Sequence, residues 1–289
     1  VWYQLQIERC QPDNVDELSN ALEESGAVSI TLTDKNDDPI LEPELGTMPL
    51  WPEIIIQALY EEEMLANHAI SNLSRHYPSF QFNLSTLPDQ DWERAWMDDF
   101  KPQRFGQRLW ICPSWSTPPE PEAVNLILDP GLAFGTGTHP TTSLCLQWLD
   151  QANLSGKTVI DYGCGSGILA LTALKLGAKK LYAVDIDPQA LQATQSNASI
   201  NSIPSEQLDI NFPNNLTATA ELLIANILLT PLVALRDSFY ALLKPKGQLV
   251  ISGILSEQAN TLIEAYQPLF THQQSKDLEG WSLLVFTRN

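Results

Sequence analysis

Residues 158–187, TVIDYGCGSGILALTALKLGAKKLYAVDID, hold the most regular pattern in the chain. An apolar run, Val159-Ile160, ends on Asp161 and a glycine-spaced turn, Gly163-Cys164-Gly165-Ser166-Gly167. From Ile168 to Leu176 apolar residues recur at helical spacing, and Gly177 stops them. A second apolar run, Leu181-Tyr182-Ala183-Val184, ends on Asp185. Strand, turn, helix and strand in this order close by a right-handed crossover into a parallel βαβ unit.

That unit carries chemistry. Glycines at the first turn let a ligand approach the backbone, and the start of the helix offers unpaired N–H groups. Asp185 stands 22 residues after Gly163, beside the first loop, where a carboxylate can accept both hydroxyl hydrogens of a ribose. Dinucleotide sites place an acidic residue about 20 residues on, but with the spacing G-x-G-x-x-G. Here the spacing is G-x-G-x-G after Asp161. A tighter turn preceded by a carboxylate suits a cofactor with an amino-acid tail and no pyrophosphate, which points to S-adenosylmethionine rather than NAD. The plainer alternative is a glycine turn that serves only strand-to-helix packing.

Working outward, 289 residues predict two domains, and 44% hydrophobic residues suffice for a proper core. No apolar run reaches a membrane-spanning length, and the opening VWYQLQIERCQPD lacks the pattern of a signal peptide. Cys10, Cys112, Cys145 and Cys164 are widely spaced, as reduced thiols of a cytoplasmic protein would be. His68, His76, His139 and His272 are scattered too, so no metal site is expected. Net charge is −19, unevenly distributed: residues 1–100 hold 20 acidic and 4 basic side chains, residues 101–289 hold 15 and 12. Such a field repels nucleic-acid phosphates and attracts basic proteins. An acidic surface that serves only solubility is the competing explanation.

Residues 1–88 read β-α-β-β-α-β, a small ferredoxin-like α+β domain, with strands at Trp2–Ile7, Ala27–Leu32, Ile54–Leu59 and Phe80–Leu84. Asp13 is the expected cap of the first helix. Residues 89–123 read as a linker, with Trp92 and Trp96 on a helix-like connector, a strand near Arg108–Cys112 and a proline-rich run at 113–121. Residues 124–289 form the second domain. Its glycine- and threonine-rich loop at 131–138, with Phe134 as an apolar cover, runs into a helix at Pro140 that carries Thr142. A buried strand ends at Asn226, which needs a hydrogen-bond partner there; a turn or cap role is the alternative. The pattern closes with a hairpin about Glu279-Gly280. The expected fold is α/β: a seven-stranded Rossmann-like methyltransferase sheet with an antiparallel last strand, plus the small N-terminal domain.

The motifs FGTGTHPTTSLCL, DYGCGSGILA, VDIDPQA and ANIL, in that order, resemble class I S-adenosylmethionine-dependent methyltransferases. More specifically they resemble the family of bacterial methyltransferases of ribosomal protein L11. The resemblance covers nearly the whole chain, since that family also carries a small N-terminal substrate-recognition domain. It implies cofactor contacts from Thr142, Gly163, Asp185 and Asn226, with Asp161 and Gly165 in the same motif. It further implies methylation of lysine side chains and the N-terminal α-amine of that basic ribosomal protein, free or on the ribosome. From the charge, the cysteines and the lack of long apolar runs, a cytoplasmic monomer that contacts neither nucleic acid nor membrane is expected. Asn226 is the candidate catalytic residue, positioning the amine. No His or carboxylate stands out as a dedicated base. A lysine of pKa about 10.4 costs roughly 4.6 kcal/mol to neutralise at pH 7, and an α-amine only about 1. Three alternatives remain open. N6-adenine or protein-glutamine methyltransferases show Asn-Pro-Pro-aromatic where this chain has Asn226-Ile227-Leu228-Leu229. A small-molecule amine methyltransferase would not need the acidic domain. A non-catalytic cofactor-sensing module is the third.

Overall fold

Apolar side chains alternate along the first strands and recur at helical spacing between them, so one sheet face must be covered by helices. The computed structural model describes residues 1–36, 49–88, 100–129 and 139–289. The chain divides into two units, Val1–Trp96 and Met97–Asn289. In the first, β1 (Trp2–Cys10), β2 (Ser29–Asp34), β3 (Ile54–Tyr60) and β4 (Gln81–Leu87) form an antiparallel sheet of order β2-β3-β1-β4. Leu5 and Ile7 pair with Ala58 and Ile56, and Val15, Leu18 and Leu22 of α1 (Pro12–Glu24) share their core. Ala66, Ala69 and Leu73 of α2 (Glu63–His76) complete it. Each fully buried leucine contributes about 1.5–3 kcal/mol. Asp13 does not cap α1. Gln11 takes that position and Pro12 opens the helix, which leaves Asp13 inside the first turn, where its charge suits the helix dipole.

In the second unit, seven strands take the order β10-β9-β8-β11-β12-β14-β13. These are β8 (Thr158–Tyr162), β9 (Lys180–Val184), β10 (Leu208–Asn211), β11 (Ala220–Asn226), β12 (Leu243–Leu255), β13 (Phe270–Leu278) and β14 (Trp281–Arg288). β10 through β12 are parallel, and β14 runs antiparallel between β12 and β13. The hairpin turns on Glu279 (φ 51°) and Gly280 (φ 81°), the two positive values a tight primed turn demands. One core lies under α3 (Pro140–Gln151), α4 (Ile168–Lys175) and α5 (Pro188–Ile200). The other lies under α6 (Leu229–Leu242) and α7 (Ala259–Tyr266). The strand order reverses at β8, which has β9 on one side and β11 on the other. An open sheet of this kind binds ligands at the carboxyl ends beside that reversal.

Within 100–129 the chain forms β5 (Gln103–Phe105), β6 (Leu109–Cys112) and β7 (Val124–Ile127), a three-stranded sheet in which β6 and β7 are parallel. The proline-rich run connects those two strands. Asp150, at the end of α3, accepts the Gln107 and Arg108 amides at 2.7 and 3.3 Å, and the Arg108 guanidinium returns to its carbonyl. Residues 103–112 therefore belong to the second unit. The Trp92–Trp96 connector and the loop with Phe134 lie outside the described residues. Among the described residues no helix is long and apolar enough to cross a membrane. There is also no cluster of metal-ligating side chains among them, and all four cysteines are free and buried.

Candidate functional site

β8 leads straight into the glycine loop, which keeps pairing with β9 after the strand ends: the Gly163 and Cys164 amides donate to the Val184 carbonyl at 2.8 and 3.1 Å. Gly163 has φ +85°, and a Cβ there would stand 2.4 Å from Ile227 Cγ2. Only glycine fits both the conformation and the space. The Gly165 amide donates to Asp185 Oδ2 at 3.0 Å, and Asp185 Oδ1 accepts from the Asp187 amide at 3.0 Å. Both carboxylate oxygens thus already hold backbone, yet each keeps a second lone pair for a further donor such as a ribose hydroxyl.

Asp161, the last inward side chain of β8, is 1% exposed and accepts from the Ala170 amide in α4 at 2.9 Å. Burial pushes its pKa up to about 7; the Ala170 hydrogen bond opposes the shift and the nearby Asp185 charge adds to it. Its Oδ1 has no hydrogen-bond partner among the described residues. Across the strand reversal, Asn226 ends β11 and donates through Nδ2 to Thr142 Oγ1 at 3.3 Å. Thr142 sits in the first turn of α3 and is buried. That geometry leaves the Asn226 side-chain oxygen as an acceptor.

The family model of ribosomal protein L11 methyltransferase (PrmA) matches residues 1–289. The chain belongs to this family. A ribosomal protein L11 methyltransferase from Legionella pneumophila (strain Philadelphia 1) is 62% identical over 287 residues, 99% of each chain. One from Pseudomonas paraeruginosa (strain PA7) is 49% identical over 285 residues, 97% of this chain and 96% of that one. Among solved structures, the ribosomal protein L11 methylase of Lactobacillus delbrueckii subsp. bulgaricus is 31% identical with a TM-score of 0.61. It covers 66% of this chain and 100% of its own.

In this member of the family, the six residues singled out from the sequence fall into two groups, each held by one hydrogen bond, Gly165 to Asp185 and Asn226 to Thr142. Gly163, Gly165 and Asp185 form one, with Asp161 beneath it; Thr142 and Asn226 form the other. Ile227 joins them by packing on Gly163. A ligand that needs a carboxylate for two hydroxyls and a half-buried acceptor fits these groups. Sequence reasoning missed the supports. Thr194 Oγ1 donates to the Gly165 carbonyl at 3.0 Å and Asn197 Nδ2 to the Ser166 carbonyl at 2.8 Å, both from α5. It also missed exposed apolar residues just past three strand ends: Ile186 (84% exposed), Phe212 (41%) and Leu228 (51%). An apolar residue within two places of the polar residue that closes a strand is the signal that finds them. A cavity of about 210 Å³ between β9, β10 and residues 215–218 is lined by none of the six.

Proposed function

We propose that the chain transfers methyl groups from S-adenosylmethionine to amines of ribosomal protein L11, on lysine side chains and the N-terminal α-amine. Family membership makes it a ribosomal protein L11 methyltransferase; the donor, the site residues and the kind of amine are the reading advanced here. The observation that carries it is the pair of bonded groups on either side of the strand reversal, one offering Asp185 and the other Asn226.

When bound, S-adenosylmethionine supplies an electrophilic sulfonium methyl. Asp185 would hold the ribose, and the Gly163–Gly165 loop would take the amino-acid tail. Ile186 and Phe212, past the adjacent strands β9 and β10, offer apolar surface for the base. The acceptor nitrogen must arrive neutral and in line. Asn226, held by Thr142, directs its free oxygen at an amine hydrogen, so orientation supplies most of the rate. Asp161 is too deeply buried to act as the base, and the proton leaves to water. Residues 1–88 would read the substrate, and the unit that begins at Met97, with the β5-β6-β7 sheet in it, would do the chemistry. The monomer would work in the cytoplasm, without contacting nucleic acid.

Mixing the full chain with labelled S-adenosylmethionine and unmodified L11, free and in assembled ribosomes, should label the protein, and mass spectrometry should find the label on nitrogen. Asn226→Ala should lower turnover more than cofactor affinity. No label in either form of L11, or tighter binding of NAD than of S-adenosylmethionine, would overturn the reading.

A further inference from the structure

The first turn of α3 begins HPTT, and the residue at its cap is a histidine where serine, threonine or aspartate is usual. His139 has an extended backbone (φ −66°, ψ 137°), and its ring nitrogen Nδ1 faces two groups of Thr141. The Thr141 backbone amide is 3.3 Å away and the Thr141 hydroxyl 2.7 Å. Pro140 fills the first helical position and has no amide to offer. The His139 carbonyl accepts from the Ser143 amide at 3.0 Å. The ring is set edge-on to Trp281 at the start of β14, with centroids 4.8 Å apart.

We infer that His139 is a positioning residue: as a neutral ring it caps α3 and so holds Thr142, and through Thr142 the Asn226 side chain, in place. The inference rests on the reading of Thr142 and Asn226 as site residues. A backbone N–H can only donate, so the nitrogen it faces must keep its lone pair and the ring proton must sit on Nε2. An imidazolium has no lone pair. It can still donate from Nδ1 to the Thr141 hydroxyl, but the Thr141 amide then loses its partner in a buried turn. The next residue is Thr142, whose hydroxyl accepts from Asn226. A loosened first turn therefore acts directly on the group that orients the amine.

The surroundings favour the neutral ring. Burial lowers the His139 pKa from its ordinary value, and the charge of Glu279, in the β13–β14 turn, opposes this more weakly. The dipole of α3 also disfavours a cation at its start. Trp281 and Thr141, which also lie against the ring, carry no charge. The cap is thus complete at pH 7 and above and is lost at acid pH. Losing a cap of this kind weakens the equilibrium it supports by about fivefold.

Titration calorimetry of S-adenosylmethionine on the full chain from pH 5.5 to 8.5 tests this, with wild type, His139→Asn and His139→Ala compared. An asparagine caps through an oxygen that gains no proton. At pH 8 the Asn variant should bind within about threefold of wild type. Towards pH 5.5 wild type should weaken by about fivefold relative to the Asn variant, and the Ala variant should be weaker than both at pH 8. Asp161 titrates in all three proteins and cancels in the ratios. Nitrogen NMR of the wild-type ring at pH 8 should show the proton on Nε2. Parallel pH curves for wild type and the Asn variant, or a proton on Nδ1 at pH 8, would reject the inference while leaving the cofactor reading intact. Absence of binding by wild type at every pH would instead remove the cofactor reading, and this inference with it.

Discussion

Two carboxylates stand about one strand apart at the site, and their environments assign them different work. Asp185 is partly exposed and binds two loop amides, so its negative charge organises the loop and remains available to a ligand. Asp185→Ala should lose charge-assisted hydrogen bonds of roughly 1.5–3 kcal/mol, or about 10–150-fold in cofactor affinity, by calorimetry. Unchanged binding would reject its role. Asp161 is the opposite case. Its folded pKa, about 7, lies above the ordinary aspartate value, so the folded protein binds its proton more tightly than the unfolded chain does. The linkage sign follows: this group's contribution is fully present below about pH 4, and stability is lost as pH rises through about 7. Asp161→Asn, which cannot ionise, should flatten that decline. Thermal midpoints measured between pH 4 and 8 should therefore fall more steeply for wild type than for the variant. Equal slopes would mean that Asp161 stays ionised, or relaxes, in the fold.

At the scale of elements, the site is a loop clamped between two others. Ile227, after β11, fills the space that a Gly163 side chain would need. Gly163→Ala should be destabilising by about 1–3 kcal/mol for its left-handed backbone, with a further loss from the clash. Pairing it with Ile227→Ala should recover the clash and not the backbone strain. A double-mutant cycle by urea denaturation should then give a favourable coupling of at least 0.5 kcal/mol, whereas strict additivity would show that the loop moves away freely. The β8-loop-α4-β9 unit was legible because each part is local: apolar runs, glycines at fixed spacing, a carboxylate at each strand end. The supports were not. Thr194 and Asn197 reach Gly165 and Ser166 only once the crossover folds α5 back over the loop, so nothing in their own neighbourhood marks them. Of the sheet β5-β6-β7 only β6 was legible, as the strand near Arg108–Cys112, and its partners were hidden for a related reason. Its strands are three or four residues long, too short for a period, and prolines between β6 and β7 carry the composition of a linker. The Asp13 cap failed because Pro12 claims the first helical turn ahead of it.

For the whole molecule the charge division is the feature that remains after the fold and site are explained. The first unit has its own core, and its helix α1 turns Asp13, Asp16, Glu23 and Glu24 to solvent with no basic residue among its thirteen positions. Those four carboxylates make no contribution to the buried face formed by Val15, Leu18 and Leu22, so they can be changed without opening the core. A cationic protein substrate approaching such a surface gains encounter rate from long-range attraction, while bare RNA is repelled. Replacing the four by Asn or Gln in the full chain should leave S-adenosylmethionine affinity unchanged. At low salt it should weaken the apparent affinity for L11 by about tenfold, since steering of this kind changes association rates by that order or more. Added salt screens surface charge beyond about 10 Å at 0.1 M, so wild type should approach the variant as salt is raised. Methyl-transfer kinetics at two salt concentrations distinguish the cases. If the wild-type and variant rates agree at low salt, the acidic face serves solubility alone and recognition of L11 lies elsewhere on the chain.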